Sequence, residues 1–193
     1  MDDDFLAERR GDDVERPPER REDVGVDPLA GLGIASTVLQ TAIGLLVFLA
    51  YATTPAVARM LGAGDRAGAV RAGVDGIWLA LALGLLLAVA GALTAHPLAA
   101  AFGASDRVTE LAALYLGISC AGIPAMLAVI AATGLFRGLQ DTRTPLVVAV
   151  AGFAANGALN AFLIYGAGWG IAGSAVGTVL AQWGMAAACI VIA

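Results

Sequence analysis

The stretch LALALGLLLAVAGAL, Leu79 to Leu93, contains no charged and no polar side chain. It lies inside a longer run, Gly76 to Ser105, in which His96 is the only ionisable residue. A helix needs about 20 apolar residues to cross the hydrocarbon layer of a bilayer, and this run is long enough. A lipid-facing β-barrel would instead alternate apolar and polar residues with a period of two, and this stretch does not alternate. The stretch therefore predicts a transmembrane α-helix.

Three further runs carry no charge, namely Pro28–Ala58, Leu111–Phe136 and Thr144–Ala193. The last is long enough for two crossings, and the glycine-rich GAGWGIAG at Gly166–Gly173 suits a tight turn between them. We therefore predict an all-α, polytopic transmembrane helix bundle with about five transmembrane helices. The predicted crossings lie near residues 29–52, 76–95, 111–135, 145–165 and 171–192.

Composition supports a membrane protein with a charged leader. Of the 193 residues, 59% are hydrophobic and 14% are charged, and the mean hydropathy is +0.82. Residues 1–27 hold eleven acidic and five basic residues, hence a net charge of −6. They have too few apolar residues to fold and no apolar signal-peptide core. We interpret 1–27 as a disordered acidic tail and 28–193 as the transmembrane helical domain.

The arginines of the remaining chain collect on alternate turns. Arg59, Arg66 and Arg71 follow the first crossing, and Arg137 and Arg143 follow the third, whereas the two opposite turns hold one arginine between them. Cytoplasmic loops of membrane proteins are enriched in basic residues, so both arginine-rich turns are predicted to face the cytoplasm. The first crossing would then start outside, which conflicts with the arginines of the tail. This conflict suggests that one helix is missing before the first crossing.

The polar turn GLFRGLQDTRTPL, Gly134 to Leu146, separates the third and fourth predicted crossings. Thr144 followed by Pro145 resembles a helix N-cap with proline at the first helical position, where its missing N–H costs nothing. The segment is therefore predicted to be a short turn between two membrane helices, with the fourth crossing starting at Thr144. Ser105 is the corresponding candidate for starting the third crossing.

Polar side chains inside the last two crossings form two stripes. Asn156 and Asn160 are one helical turn apart on the fourth crossing, and Ser174, Thr178 and Gln182 repeat at the same interval on the fifth. The two stripes can face each other. The spacing leaves two interpretations open: hydrogen bonds between the helices, worth about 0.6 kcal/mol each, or a binding site.

The sequence offers little to an enzyme or a metal site. Cys120 and Cys189 lie in apolar runs with no histidine or second cysteine at ligand spacing. No nucleophile and base pair, no paired carboxylates and no basic face for nucleic acid can be assembled. We therefore expect no enzymatic activity, no metal site and no nucleic-acid partner.

Four segments resemble the multidrug and toxic compound extrusion (MATE) family, in particular its DinF-like branch. They are GLGIAS at Gly31–Ser36, TTPAVARMLGAGD at Thr53–Asp65, ATGLFRGLQDTRTPL at Ala132–Leu146, and AANGALNAFLIYGAGWGIAGSAVGTVLAQ at Ala154–Gln182. They follow one another in the family's order and spacing, from Asp27 to the C-terminus. The most distinctive is the predicted cytoplasmic turn, whose motif residues are Arg137, Gly138, Asp141, Thr142, Thr144 and Pro145.

The resemblance implies a fold and a function. Proteins of this family have twelve helices in two six-helix lobes, and they export organic, often cationic compounds in exchange for Na⁺ or H⁺. By the resemblance, the five crossings correspond to helices two to six of the N-terminal lobe; helix one is replaced by the tail, and the C-terminal lobe is absent. The implied function is cation-coupled antiport of organic or xenobiotic small molecules across the cell membrane, by a truncated or half transporter. A separately encoded C-terminal lobe is one partner that this function allows.

The resemblance also implies an ion site. Asn156 matches the family's asparagine on helix five, Asn160 stands where an aspartate is common, and Thr178 matches the threonine on helix six. The family's aspartate on helix one has no counterpart here. The expected coupling ion is Na⁺ or H⁺, with no other cofactor, and an asparagine cannot release a proton at physiological pH. The alternative function is a small, non-transporting membrane protein that acts through helix–helix assembly.

Overall fold

The computed structural model describes residues 26–193; the side chains of residues 42, 43 and 45–52 lie outside that description. The described chain contains helices and short turns and no strand, which confirms the predicted all-α fold class. The helices are α1 (Val26–Gly62), α2 (Arg66–Ala100), α3 (Asp106–Cys120), α4 (Ile123–Gly138), α5 (Arg143–Ala161), a π-helical turn (Phe162–Gly166) and α6 (Gly170–Ile192).

The membrane spans can be assigned from helix length and composition. Three described helices are long and apolar enough to cross a bilayer: Arg66–Ala100, Arg143–Gly166 and Gly170–Ile192. The bent pair formed by α3 and α4 makes a fourth if it is counted as one span. The predicted crossing at 29–52 falls within α1, which is described only in part. These helices make the chain a polytopic membrane bundle, as the uncharged runs predicted.

Helix α1 begins two residues before the predicted start of the transmembrane domain at residue 28. Of the predicted tail 1–27, residues 1–25 lie outside the described residues, and α1 already begins at Val26. Asp27 and Pro28 occupy the first turn of this helix. An acidic side chain is favoured there by the helix dipole, and proline has no N–H that the first turn would need.

The predicted third crossing, 111–135, is wrong as a single helix. The chain forms two helices that meet at 48°, with Ala121 and Gly122 between them. Pro124 lies in the first turn of α4, where it cannot donate the backbone hydrogen bond that would continue α3. A Cβ added to Gly84 of α2 would overlap the backbone of Pro124, so α2 packs closely against the break. Ser105, in contrast, caps α3 as predicted, accepting from the Val108 N–H at 3.4 Å.

Helices α1 to α4 form one group, and α5 and α6 form a pair that packs against it. Helices α1 and α2 contact each other and both α3 and α4 extensively, and these four helices hold most of the buried side chains. Helix α6 packs on α5, α3 and α4, whereas α5 has few contacts with α4. Large apolar side chains of α5 such as Phe153 point outward, with 69% of that residue exposed. An apolar exterior is what a helix facing lipid requires. Helix α6 thus connects α5 to the rest of the bundle.

Candidate functional site

The two predicted polar stripes meet at one point between α5 and α6. The Thr178 hydroxyl donates to Asn156 Oδ1 at 3.4 Å, a long hydrogen bond between the two helices. The same hydroxyl lies 2.9 Å from the Ser174 carbonyl, one turn earlier on α6. A hydroxyl has one proton to donate, so the shorter bond is the stronger one. Asn156 Oδ1 is therefore held only weakly by its neighbour.

Asn160 contributes a second oxygen to this region. Its Oδ1 atom is buried and has no hydrogen-bond partner among the described residues. The oxygen rests against Gly177 of α6, where any added Cβ would overlap it and would lie 3.2 Å from the Asn160 backbone nitrogen. A buried polar atom without a partner costs about 1–3 kcal/mol. Gly177 thus lets α6 approach α5 closely, while Asn160 keeps an unsatisfied acceptor at the contact.

Two glycines one turn apart on α6, Gly173 and Gly177, allow this helix to approach its neighbours closely. Gly173 packs against the Leu163 carbonyl of the π-helical turn, with a built Cβ only 3.0 Å from the carbonyl oxygen. Gly177 makes the equivalent contact one turn further along α6, at Asn160. The π-helical turn begins two residues after Asn160, and single π turns recur at functional sites. The predicted turn between the last two crossings is confirmed, with Gly168 at φ 70° and Gly170 at φ 52°.

The site carries no formal charge. No Asp, Glu, Lys, Arg or His follows Arg143 along the sequence. Within the residues that the structure describes, no three His, Cys, Asp or Glu side chains are close enough to share a metal ion. The atoms that could bind a ligand here are therefore neutral oxygens, namely the two asparagine side-chain carbonyls and the Thr178 hydroxyl.

The third member of the α6 stripe, Gln182, does not face α5. Its Nε2 lies 3.8 Å from Met126 Sδ, and its Oε1 presses on Gly122 at the break between α3 and α4. The next residue, Trp183, donates its indole N–H to the Ala121 carbonyl at 3.0 Å. Sequence spacing could not show these contacts, because the partners lie 56 and 62 residues away.

The polar turn between α4 and α5 is capped by Asp141. Its Oδ1 accepts from the backbone N–H groups of Arg143 and Thr144, both at 3.0 Å, and its Oδ2 accepts from the Thr144 hydroxyl at 2.6 Å. The predicted N-cap at Thr144 is therefore wrong: α5 begins at Arg143, and the N-cap position, Thr142, makes no side-chain hydrogen bond. The aspartate outcompetes the threonine because a carboxylate can accept several hydrogen bonds at once.

The end of α4 has a backbone feature that the sequence did not signal. Gln140 adopts the left-handed conformation, at φ 64°. The Asp141 N–H bonds to the Phe136 carbonyl at 2.8 Å and the Gln140 N–H to that of Arg137 at 3.1 Å, the pattern of a Schellman cap. The turn between α1 and α2 is built alike, with Gly64 at φ 82° and Asp65 accepting from the Gly68 N–H at 2.8 Å.

The polar turn is also fixed to the bundle through Gly138. A Cβ at this position would lie 2.6 Å from Val57 Cγ1 and 3.2 Å from the Thr54 carbonyl oxygen of α1. Arg137 and Arg143 are exposed on either side of the turn. Of the six residues in the predicted loop motif, Gly138 therefore packs against α1, and Asp141 caps α5 while accepting from the Thr144 hydroxyl. Thr142 is the N-cap residue of α5, and Pro145 lies in the first turn of that helix.

We expect Asp141→Ala to loosen the start of α5. Hydrogen bonds from the Thr144 hydroxyl and from the N–H groups of Thr144 and Arg143 hold the pKa of the Asp141 carboxyl below its usual range. This stabilisation is present above the unfolded-state pKa of about 3.9 and is lost as the pH falls through the lowered folded-state pKa. Thermal unfolding in detergent should show a lower Tm for the variant at pH 7 and a gap that closes in acid. Asp75→Ala, at an exposed acid on α2, is the control, and an equal effect there would contradict the capping role.

Comparison with known proteins agrees with this architecture. Residues 22–162 match the family model MatE. The chain is 30% identical over 155 residues to the DNA damage-inducible protein F of Escherichia coli (strain K12), covering 80% of this chain and 34% of that protein. It is 31% identical over 174 residues to a probable multidrug resistance protein NorM of Bradyrhizobium diazoefficiens, covering 88% and 37% respectively.

A solved structure shows the same fold. The crystal structure of a MATE protein in the bent conformation superposes with a TM-score of 0.81 and 28% sequence identity, covering 86% of this chain and 37% of that one. The chain thus spans about a third of the length of the relatives it matches. The match to the family model, the order of the helices and the shared fold all agree. The chain belongs to the MatE family of multidrug efflux transporters, whose proteins are multi-pass membrane proteins.

Proposed function

We propose that this chain forms the first helical bundle of a cation-coupled antiporter that exports organic compounds across the cell membrane. The coupling ion is Na⁺ or H⁺, and Asn156, Asn160 and Thr178 are its contact residues in this bundle. The observation that carries the proposal is the buried Asn160 Oδ1, which has no hydrogen-bond partner in the part of the chain that the structure describes, beside the weakly held Asn156 Oδ1. Polar groups inside a membrane are costly, and unsatisfied ones indicate a function.

The depth of these oxygens supports an ion site. Asn156 lies near the middle of the span Arg143–Gly166, about 20 Å from its start at 1.5 Å per residue. Secondary transporters bind substrates and coupling ions near the bilayer midplane, next to helices with irregular segments. Here the irregular segment is the π-helical turn that follows Asn160.

The donor set fits Na⁺ better than a proton. Hard cations bind oxygen ligands, including amide carbonyls, and the two asparagines and Thr178 supply such oxygens. None of the three side chains exchanges a proton at physiological pH. Proton coupling would therefore require a carboxylate from outside α5 and α6. In either case the three residues orient the ion, and the described part of these helices adds no compensating charge.

Export requires a second half. In alternating access, one repeat of the transporter rocks against another around a central site. This chain covers about a third of the length of its relatives. We propose that a second six-helix lobe completes the transporter, whether it belongs to the same polypeptide or is separately encoded. The turn with Arg137 and Arg143 would keep the α4–α5 end of the bundle in the cytoplasm.

One observation favours the alternative, a non-transporting protein that assembles through its helices. A groove of about 330 Å³ runs between α5 and α6. Its floor includes the small residues Ala151, Gly152, Ala181 and Gly184. Small residues on a membrane helix allow another helix to approach closely.

A chimeric transporter separates the two functions. Residues 28–192 of this chain would replace the matching segment of the E. coli relative, and export of ethidium from proteoliposomes would be measured under a Na⁺ or a pH gradient. If the bundle is a transporter half, we expect gradient-driven export by the chimera. We expect at least a tenfold loss when Asn156→Ala and Thr178→Val are combined, about 1.4 kcal/mol or more of lost transition-state stabilisation.

Thr94→Val is the matched control for this experiment. The Thr94 hydroxyl also bonds a carbonyl one turn earlier on its own helix, that of Ala90 at 2.8 Å, but it lies on α2 away from the site. Its export rate should equal that of the chimera. An equal loss of export in Thr94→Val and in the combined Asn156→Ala and Thr178→Val variant would contradict the assigned site. A folded chimera that exports under neither gradient would favour the assembly function.

A further inference from the structure

Counted as one span, α3 and α4 place the break between them deep in the membrane. Helix α3 has 15 residues before the break, about 22 Å of helix at 1.5 Å per residue, and α4 continues for 16 residues on the other side. Non-helical backbone at this depth is tolerated only where protein or a water-filled cavity covers it. The Ala121 and Gly122 N–H groups bond to the Ile118 and Ser119 carbonyls at 3.1 and 2.9 Å, and the Gly122 carbonyl accepts from the Met126 N–H at 2.9 Å. The Ala121 carbonyl takes its partner from a neighbouring helix.

Helix α6 contacts the break with two adjacent side chains. Trp183 donates its indole N–H to the Ala121 carbonyl at 3.0 Å. Gln182 presses its Oε1 on Gly122 and brings its Nε2 to 3.8 Å from Met126 Sδ. Tryptophan in membrane proteins concentrates at the water interfaces, whereas Trp183 lies about 20 Å into α6 from Gly170. Its position is explained by the carbonyl that it satisfies.

The same helix carries the polar contact with α5 one turn away. Gln182 follows Thr178 by four residues, one turn further along α6, and meets the break where Thr178 meets α5. Thr178 bonds to Asn156, and the neighbouring Gly177 receives Asn160. Helix α6 is thus fixed at two successive levels, to the break and to α5. Because α6 is a rigid helix, a shift or rotation that changes its contact with the break must also change its contact with α5.

We infer that Gln182 and Trp183 are positioning residues that hold α6 in register against the α3–α4 break and so place Thr178 against Asn156. The hydrogen bond at the break and the hydrogen bond at the polar site are two ends of one linkage. The inference rests on the proposed function in one respect only, namely that a cation binds at the contact between Thr178 and Asn156. In a working transporter, the linkage would couple occupancy of the site to the geometry of the broken helix.

The indole N–H of Trp183 allows the linkage to be measured in the whole chain. Two-dimensional ¹H–¹⁵N spectra in lipid nanodiscs contain three tryptophan indole signals, which Trp→Phe replacements assign to Trp78, Trp169 and Trp183. We expect Asn156→Ala and Thr178→Val each to shift or broaden the Trp183 signal by more than its line width. Thr178→Ser, which keeps the hydroxyl, should restore the wild-type position.

The controls come from parts of the chain away from α6. The backbone amide signals of Gly64 and Gly103, both in turns with positive φ, report whether a variant is folded. Thr94→Val should leave the Trp183 signal in place. A Trp183 signal that stays unmoved in folded Asn156→Ala and Thr178→Val proteins overturns the inference.

The reverse direction gives a second, independent reading. Trp183→Phe keeps an aromatic ring but loses the donor, and it should shift the side-chain amide signal of Asn156. An unchanged Asn156 signal in this folded variant would also overturn the inference. Neither measurement involves ions or transport, so failure of the proposed function would be seen separately in the chimera.

Discussion

Gly177→Ala is expected to separate α5 from α6 and to abolish function in the chimera. The new Cβ would overlap Asn160 Oδ1 and lie 3.2 Å from the Asn160 backbone nitrogen. The Asn160 side chain must rotate away from the new methyl group, and the two backbones must separate by a few tenths of an ångström. Together these changes should cost about 1–3 kcal/mol. The long hydrogen bond between Thr178 and Asn156, already 3.4 Å, should break. We expect a Tm lower by several degrees and at least a tenfold loss of export.

Gly184→Ala is the matched control on the same helix. A Cβ at Gly184 meets nothing within 4 Å, so the change adds helix propensity without a clash. Thermal unfolding and ethidium export should equal those of the parent. If both alanine variants behave alike, close approach at Gly177 is not what holds the site together.

Asn160→Asp is expected to make export by the chimera dependent on pH. The new carboxyl would lie where the Asn160 oxygen is now buried. It would provide the exchangeable proton that the three native side chains lack. We expect export driven by a pH gradient to rise several-fold.

Stability gives a second reading of the same variant. Its thermal unfolding should depend on pH, because Asn160→Asp adds a titratable group where neither α5 nor α6 has an acid. Na⁺ should raise its Tm by binding the ionised form. Asn160→Ser, which adds no titratable group, is the control, and identical pH profiles for the two variants would contradict the assignment.

Much of this architecture follows from the sequence because lipid restricts what a spanning segment can be. Uncharged runs of sufficient length have few options other than helices, so α2, α5 and α6 were predictable from composition. The spacing of Asn156, Asn160 and Thr178 placed them on facing stripes, and the structure brings Asn156 and Thr178 together. The close approach at Gly173 and Gly177 was predictable from their spacing on one face of α6.

Other features depend on partners that are distant along the chain. Pro124 favours a bend in the third crossing, but the contact with Trp183, 62 residues away from its acceptor Ala121, has no local signal. Gln182 belongs to the same sequence stripe as Thr178, yet it faces α4 because Gly122 leaves room for it. No pattern local to α6 distinguishes the two roles.

The prediction for the polar turn was wrong for a different reason. Thr144 and Asp141 are both good capping residues, and the threonine is followed by a proline that favours helix starts. The choice was decided by the backbone, because the left-handed Gln140 aims Asp141 at the first N–H groups of α5. A glutamine gives little warning of a left-handed conformation, which glycine adopts far more readily.

The most direct test of the ion site between α5 and α6 is equilibrium binding of ²²Na⁺ to the chimera in nanodiscs. We expect saturable binding that competes with unlabelled Na⁺. The affinity should be at least tenfold weaker when Asn156→Ala and Thr178→Val are combined, and unchanged in Thr94→Val. Binding of equal affinity in all three proteins would place the ion elsewhere and contradict the assigned site.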